Sequence, residues 1–166
     1  GGSRPKGVYT AGQMQELMNL HSFLPEGPVV ILGSGDLGLI MACQIAEAGL
    51  TVTMVEKKDS CGGMAKNQQH LRQLPVEVLC GDTLSEIHGY PHITGCTTEK
   101  GVYLPCRTLL VAVGLRPEQE LIAHLGSPRW LHICGNCNKV HPMVEAVINE
   151  GKQAGKAATE NLRGAI

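Results

Sequence analysis

Val29-Val30-Ile31-Leu32-Gly33-Ser34-Gly35-Asp36-Leu37-Gly38, answered by Thr51-Val52-Thr53-Met54-Val55-Glu56, decides how this chain is read. Val29 to Leu32 is a continuous apolar run, the pattern of a parallel strand covered on both faces. Gly33, Gly35 and Gly38 form a Gly-x-Gly-x-x-Gly turn. Beyond it Leu37, Met41, Ile45 and Ala48 recur at helical spacing, and Gly49 supplies a stop. A second apolar strand follows and ends in the acid Glu56. Strand, glycine turn, helix, strand and acid is the order that a dinucleotide-binding βαβ unit requires.

Each residue of the turn has a separate physical task. Gly33 permits the tight bend, Gly35 leaves room for a pyrophosphate to approach the backbone, and Gly38 lets the helix lie close on the strand. Ser34, Asp36 and Leu37 complete the loop and helix start, where free amides and the positive dipole end face an anion. Glu56 is placed to accept hydrogen bonds from both hydroxyls of an adenosine ribose. A 2′-phosphate there meets like charge, of order 4 kcal/mol per unit charge at about 4 Å and an effective dielectric near 20. The sequence therefore favours NAD over NADP. Lys57 and Lys58 are the counterweight, since either can turn toward a phosphate; the alternative is that both are solvated loop charges. The competing reading of the whole stretch is a glycine turn that binds nothing.

Composition narrows the classes. The chain has 166 residues, 43% hydrophobic and only 17% charged, with a net charge of −1, which fits one ordinary domain or slightly more and argues against disorder or a polyanion partner. One Trp, one Phe and three Tyr are too few for base-stacking platforms, so no nucleic-acid partner is expected. No apolar run approaches the roughly 20 residues of a membrane span. Seven cysteines, an odd number, fit a reducing, cytoplasmic compartment better than a disulfide framework. Cys43, Cys80, Cys96 and Cys106 read as small buried hydrophobes. The Gly1-Gly2-Ser3 start reads as a truncation or a cloning remnant.

Elsewhere the patterns predict a short strand at 7–10 and a helix over 11–21 with Met14, Leu17, Met18 and His21 on one face. A polar helix is expected over 62–74 and a strand over 76–79. Three short strands over 84–88, 92–98 and 102–105, divided by turn residues at 89–91 and 99–101, predict an antiparallel meander. Strands are expected over 109–113 and 130–134, and a helix over 143–162 whose small residues at 151, 154, 155 and 158 permit close packing. The expected fold is α/β, a Rossmann-type parallel sheet with helices on one face and the three-stranded meander on the other. A crossover segment over 1–27, a nucleotide-binding domain over 28–117 and a C-terminal segment over 118–166 are the expected divisions.

These pieces in this order resemble the FAD-dependent pyridine nucleotide-disulfide oxidoreductase superfamily. Gly7-Val8-Tyr9-Thr10-Ala11-Gly12 looks like the crossover into its pyridine-nucleotide domain, and Val29 through Glu56 like that domain's fingerprint. Leu109 through Pro117 is similar to the family's second strand-and-turn, which sets Gly114 at the nicotinamide half. Ile133-Cys134-Gly135-Asn136 with the following helix resembles the late flavin-contacting segment, although Asn136 stands where the family usually has Asp. The resemblance implies that Gly135 and Asn136 face FAD in a complete parent that transfers hydride from NADH to FAD. The chain looks like the NAD(P)H domain and the end of an FAD domain, without the N-terminal FAD-binding half. Its expected partners are NADH and either that half or a flavoprotein subunit, with no turnover expected from the chain alone.

Two other classes stay open. One is a non-catalytic NAD-binding sensor or interaction module. The other is a metal-binding redox protein, because His132, Cys134, Cys137 and His141 have zinc-like spacing. The Cys134–Cys137 pair follows the fingerprint, whereas the resemblance puts the active pair of thioredoxin-reductase-like members before it, so no disulfide-reductase role is assigned.

Overall fold

The computed structural model describes residues 5–126, 128, 130–141 and 143–163. They divide into two compact units, residues 1–114 and 115–166. The first unit is built on a five-stranded parallel sheet of β1 (Val8–Thr10), β2 (Val29–Leu32), β3 (Val52–Glu56), β4 (Val76–Cys80) and β8 (Thr108–Val111), in the order β1-β8-β2-β3-β4. Ile31 lies opposite Met54 on one side and Leu110 on the other.

Alternation along these strands splits the core into two. Val29, Ile31, Val52, Met54 and Leu110 point to a layer of helices, α1 (Ala11–His21), α2 (Asp36–Glu47) and α3 (Ala65–Leu71). Val30, Val55 and Leu109 point to the opposite face, where Ile93, Cys96, Leu104 and Cys106 cover them. That cover is the expected meander, β5 (Leu84–His88), β6 (Gly95–Thr98) and β7 (Tyr103–Pro105). A sheet so enclosed explains why its strands are apolar runs rather than alternating ones.

Local chemistry sets the helix limits. Thr10 caps α1, its hydroxyl accepting from the Gln13 amide at 3.2 Å. Only Ala11 and Met14 of α1 are buried, and His21 is exposed, so the apolar face is shorter than its spacing suggests. Helix α2 buries a wider front than the stripe through Leu37 and Ala48. Gly38, Leu39, Met41, Ala42, Cys43, Ile45 and Ala46 are all buried, because α1, α3 and the sheet pack around it, while Ala48 is an exposed cap. Helix α3 is shorter than the expected 62–74, since Gly63 takes φ +72 and residues 62–64 form a loop. Strand β6 begins only at Gly95, and His92 instead bridges to Lys6.

The second unit holds a short helix α4 (Glu120–Ala123), a 3-10 turn (Gly135–Cys137) and the long helix α5 (Val144–Arg163). The strand expected over 130–134 is not formed. A strand needs a ladder partner to satisfy its amides and carbonyls, and among the described residues this unit contains no other strand. No helix among the described residues is long and apolar enough to cross a membrane.

Candidate nucleotide-binding site

At the C-terminal end of the parallel sheet, chain order reverses between β2 and β8, and this is where open α/β sheets leave a crevice. The turn after β2 forms one wall. Gly33 has φ +99, and a Cβ there would lie 2.6 Å from the Ala112 carbonyl of the strand beside it. At Gly38 a Cβ would collide with the Gly33 carbonyl and touch the Ala112 methyl at 3.3 Å, so this glycine sets how closely α2 approaches the strand. Gly35 differs from both. A Cβ there would meet nothing within 4 Å, and Gly35 caps α2 without any side-chain hydrogen bond. The start of α2 therefore presents open space and an uncapped amide terminus, which are the two properties that an approaching phosphate needs. In the segment that follows the facing strand β8, Gly114 takes φ +113 and is likewise open.

Glu56 ends β3 almost wholly buried, at 8% exposure. Its Oε2 accepts from the Ser34 amide at 2.8 Å and the Ser34 hydroxyl at 2.6 Å, and its Oε1 accepts from the Lys58 amide at 2.9 Å. Burial alone raises a carboxyl pKa. Here the Ser34 hydroxyl, the Lys58 and Ser34 amides and the Lys58 charge outweigh burial and hold Glu56 below the usual carboxylate range. The group is thus a fixed anion at neutral pH. Three donors leave acceptor capacity on a carboxylate that offers about four lone-pair sites. Lys57 and Lys58 are both exposed, and Lys58 acts on Glu56 through its amide and its charge.

Several parts of the site carry no local signal. Ser34 Oγ also accepts from the Gly62 amide at 2.8 Å, so one hydroxyl joins the glycine turn, Glu56 and the loop before α3. The Asp36 carboxylate accepts from the Met64 amide at 2.7 Å and from Asn67 Nδ2 at 2.8 Å, docking that loop on the start of α2. The Leu37 side chain packs against the helical core. Ser34 and Asp36 are thus structural clamps besides the backbone roles expected of them, and Gly62 and Gly63 join the site unforeseen.

Gly135 and Asn136 lie in the second unit. Gly135 has φ +70 and donates its amide to Glu150 Oε2 at 2.9 Å, which leaves that amide committed within the chain. Glu150 also binds His141 Nε2 at 2.8 Å and the Asn138 side chain. Asn138 and His141, more than burial opposes, lower the Glu150 pKa. Asn136 Oδ1 accepts at 3.5 Å from the His141 amide. The zinc-spaced residues do not converge. His141 faces Glu150, the Cys137 thiol donates to the Cys134 carbonyl at 2.8 Å, and no group of three or more His, Cys, Asp or Glu among the described residues is arranged to hold a metal ion. Replacing Glu150 by Ala removes three hydrogen bonds of the 135–141 turn at once; faster hydrogen exchange at the Gly135 and Asn138 amides is the expected result, with exchange in residues 29–56 unchanged.

Residues 6–131 match the family described as pyridine nucleotide-disulphide oxidoreductase. The chain belongs to this family. The bilirubin reductase of Mediterraneibacter gnavus (strain CC55_001C) is 27% identical over 141 residues, which are 79% of this chain and 21% of that protein, so the chain spans about a fifth of the curated relative's length. A FAD-dependent pyridine nucleotide-disulphide oxidoreductase from Desulfovibrio vulgaris superposes with a TM-score of 0.68 at 22% identity, over 95% of this chain and 51% of that one. A ferredoxin reductase from Rhodopseudomonas palustris has a TM-score of 0.53 at 28% identity, over 60% and 27% of the two chains. The family is FAD-dependent and works with NAD(P)H.

Proposed function

We propose that residues 1–114 bind NADH and hold it for hydride transfer to a flavin, within a reductase whose FAD site is completed by another segment or subunit. One observation carries the reading: a buried, ionised Glu56 at the end of β3 stands next to an open Gly35 at an uncapped helix start. The amides of Asp36, Leu37 and Gly38 would hold the pyrophosphate, and Glu56 would accept from the adenosine ribose. Ser34 fixes the Glu56 carboxylate so that no reorganisation is needed on binding. Gly114 leaves the far side of the crevice clear for the nicotinamide half.

The bound cofactor supplies the hydride, and no side chain of this unit has to move a proton for that transfer. The chain's part is to position and to discriminate. Glu56 favours two ribose hydroxyls and repels a 2′-phosphate, with exposed Lys57 and Lys58 acting in the opposite sense. Gly135 and Asn136 are assigned to the flavin side of the reductase. The Gly135 amide is given to Glu150 within the chain, so the Asn136 side chain would supply a polar contact there.

Calorimetric titration of the 166-residue chain with NADH, NADPH and FAD tests the reading. Tighter binding of NADH than NADPH, with no FAD binding, is the expected result. Preference for NADPH would transfer the discriminating role from Glu56 to the lysines. Absence of binding by either nicotinamide nucleotide would reduce the glycine turn to architecture.

A further inference from the structure

Cys61 and Cys80 meet beside the Glu56 anchor although 19 positions separate them in sequence. Cys80 ends β4 in register with Glu56 of β3, and the strand ends around it are tied down. The Gly81 amide donates to the Lys58 carbonyl at 2.8 Å and the Asp82 amide to the Glu56 carbonyl at 3.1 Å. Cys61 lies on the loop before α3. The two thiols are near enough to act on each other, Cys61 adding to the burial that raises the Cys80 pKa. Both are only partly buried, and both line one open cavity of about 350 Å³ with Gln68, Leu71 and Val78. A reagent therefore has a route to the pair. Cys96 and Cys106 also meet, but they are 0% and 1% exposed under the meander.

We propose that Cys61 and Cys80 form a modification site, which a low-molecular-weight disulfide closes reversibly into an intramolecular disulfide, weakening cofactor binding at Glu56. In the first step the Cys61 thiolate attacks one sulfur of the oxidant, forming a mixed disulfide and releasing one small thiolate. In the second step the Cys80 thiolate attacks the Cys61 sulfur and expels the other half. Two protein thiols and one small disulfide become one protein disulfide and two small thiols; two electrons pass to the oxidant, and the two released thiolates take up the protons that the cysteines gave up. Burial, and then Cys61, Glu56 and Asp59, push the Cys80 thiol up, which makes it the poorer first attacker. Its role in the second step rests on proximity.

The link to the cofactor, which rests on the function proposed above, runs through one residue. Gly62 follows Cys61 directly and donates to Ser34 Oγ, which in turn donates to Glu56. Drawing Cys61 into bond contact with Cys80 pulls the Gly62 amide off Ser34 and frees the clamp on the carboxylate. The loss of about one hydrogen bond's worth of order corresponds to about a tenfold weaker NADH affinity.

The test exposes the 166-residue chain to oxidised glutathione, maps disulfides by alkylation and peptide mass spectrometry, and measures NADH affinity before oxidation, after it, and after dithiothreitol. A Cys61–Cys80 cross-link, an affinity about tenfold lower and recovery on reduction are expected. In Cys80→Ser the reaction stops at a glutathione adduct on Cys61, with NADH binding of the reduced protein unchanged. A wild-type chain that keeps separate adducts on the two cysteines, or leaves both free while other thiols react, overturns the site. A cross-link that leaves the affinity unchanged overturns the coupling. Should the reduced chain bind no NADH, the proposed function fails, and the peptide map still decides whether the thiol pair closes.

Discussion

Gly35→Ala is expected to keep the fold and weaken cofactor binding, whereas Gly38→Ala is expected to destabilise the fold. The two substitutions add the same methyl group three residues apart. At Gly35 the backbone has φ −64 and ψ 174, which any residue adopts, and the new Cβ meets nothing within 4 Å. The methyl enters only the space assigned to the pyrophosphate. Forcing a ligand past it costs about 1–3 kcal/mol, a roughly fivefold to 150-fold weaker nucleotide affinity. At Gly38 the Cβ collides with the Gly33 carbonyl and crowds Ala112, so α2 must lift from the sheet. That helix buries seven residues, and displacing it by even a fraction of an ångström disturbs the whole helical core. A loss of about 3 kcal/mol, or roughly 10 °C in melting temperature, is expected. Thermal denaturation and NADH titration of both variants separate the effects. A Gly35→Ala protein that binds NADH like the wild type would show that no phosphate approaches this glycine.

That contrast also explains what the sequence could reveal. The glycine turn was legible because each glycine answers a local constraint, a bend, an approach or a packing distance, in a stretch with one strand on each side. The meander was legible because turn residues at 89–91 and 99–101 divide three short runs. Residues 130–134 have the composition of a strand, yet pairing is a tertiary property that no local pattern supplies. The loop over 62–64 hid for a related reason. Its work is done by backbone groups, with the Gly62 amide on Ser34 and the Met64 amide on Asp36, and backbone amides leave no mark on residue identity. The Ser34–Glu56 clamp spans 22 positions and the Cys61–Cys80 contact 19. Both depend on β2, β3 and β4 lying side by side. Cys80, expected as a buried hydrophobe, is only partly buried because β4 is the edge strand and a cavity opens against it.

Glu56→Gln is the second substitution of large expected effect, and it acts on stability, pH response and cofactor choice together. The wild-type carboxylate takes three donors, two from Ser34 and one from Lys58. A glutamine has one acceptor oxygen. If that oxygen serves Ser34, its amide nitrogen faces the Lys58 amide, donor against donor. The expected cost is about 1–3 kcal/mol, the worth of a hydrogen bond to a charged group together with an unsatisfied buried donor. The pH dependence has a definite sign. Because the folded protein holds the Glu56 pKa below its ordinary value, the ionised group contributes its full stability above the unfolded-state pKa of about 4.3. That contribution is lost as pH falls through the depressed folded value. The stability gap between wild type and Glu56→Gln is therefore widest near neutrality and closes below about pH 4.3. On the cofactor side the like-charge repulsion of a 2′-phosphate disappears, while Lys57 and Lys58 remain. NADH affinity is expected to fall and NADPH affinity to rise, shrinking the NADH preference by about tenfold or more. Urea denaturation at several pH values measures the first effect, and paired titrations measure the second. A variant with unaltered acid stability would show that Glu56 ionises as an ordinary carboxylate, and an unaltered NADH/NADPH ratio would remove it from the ribose site.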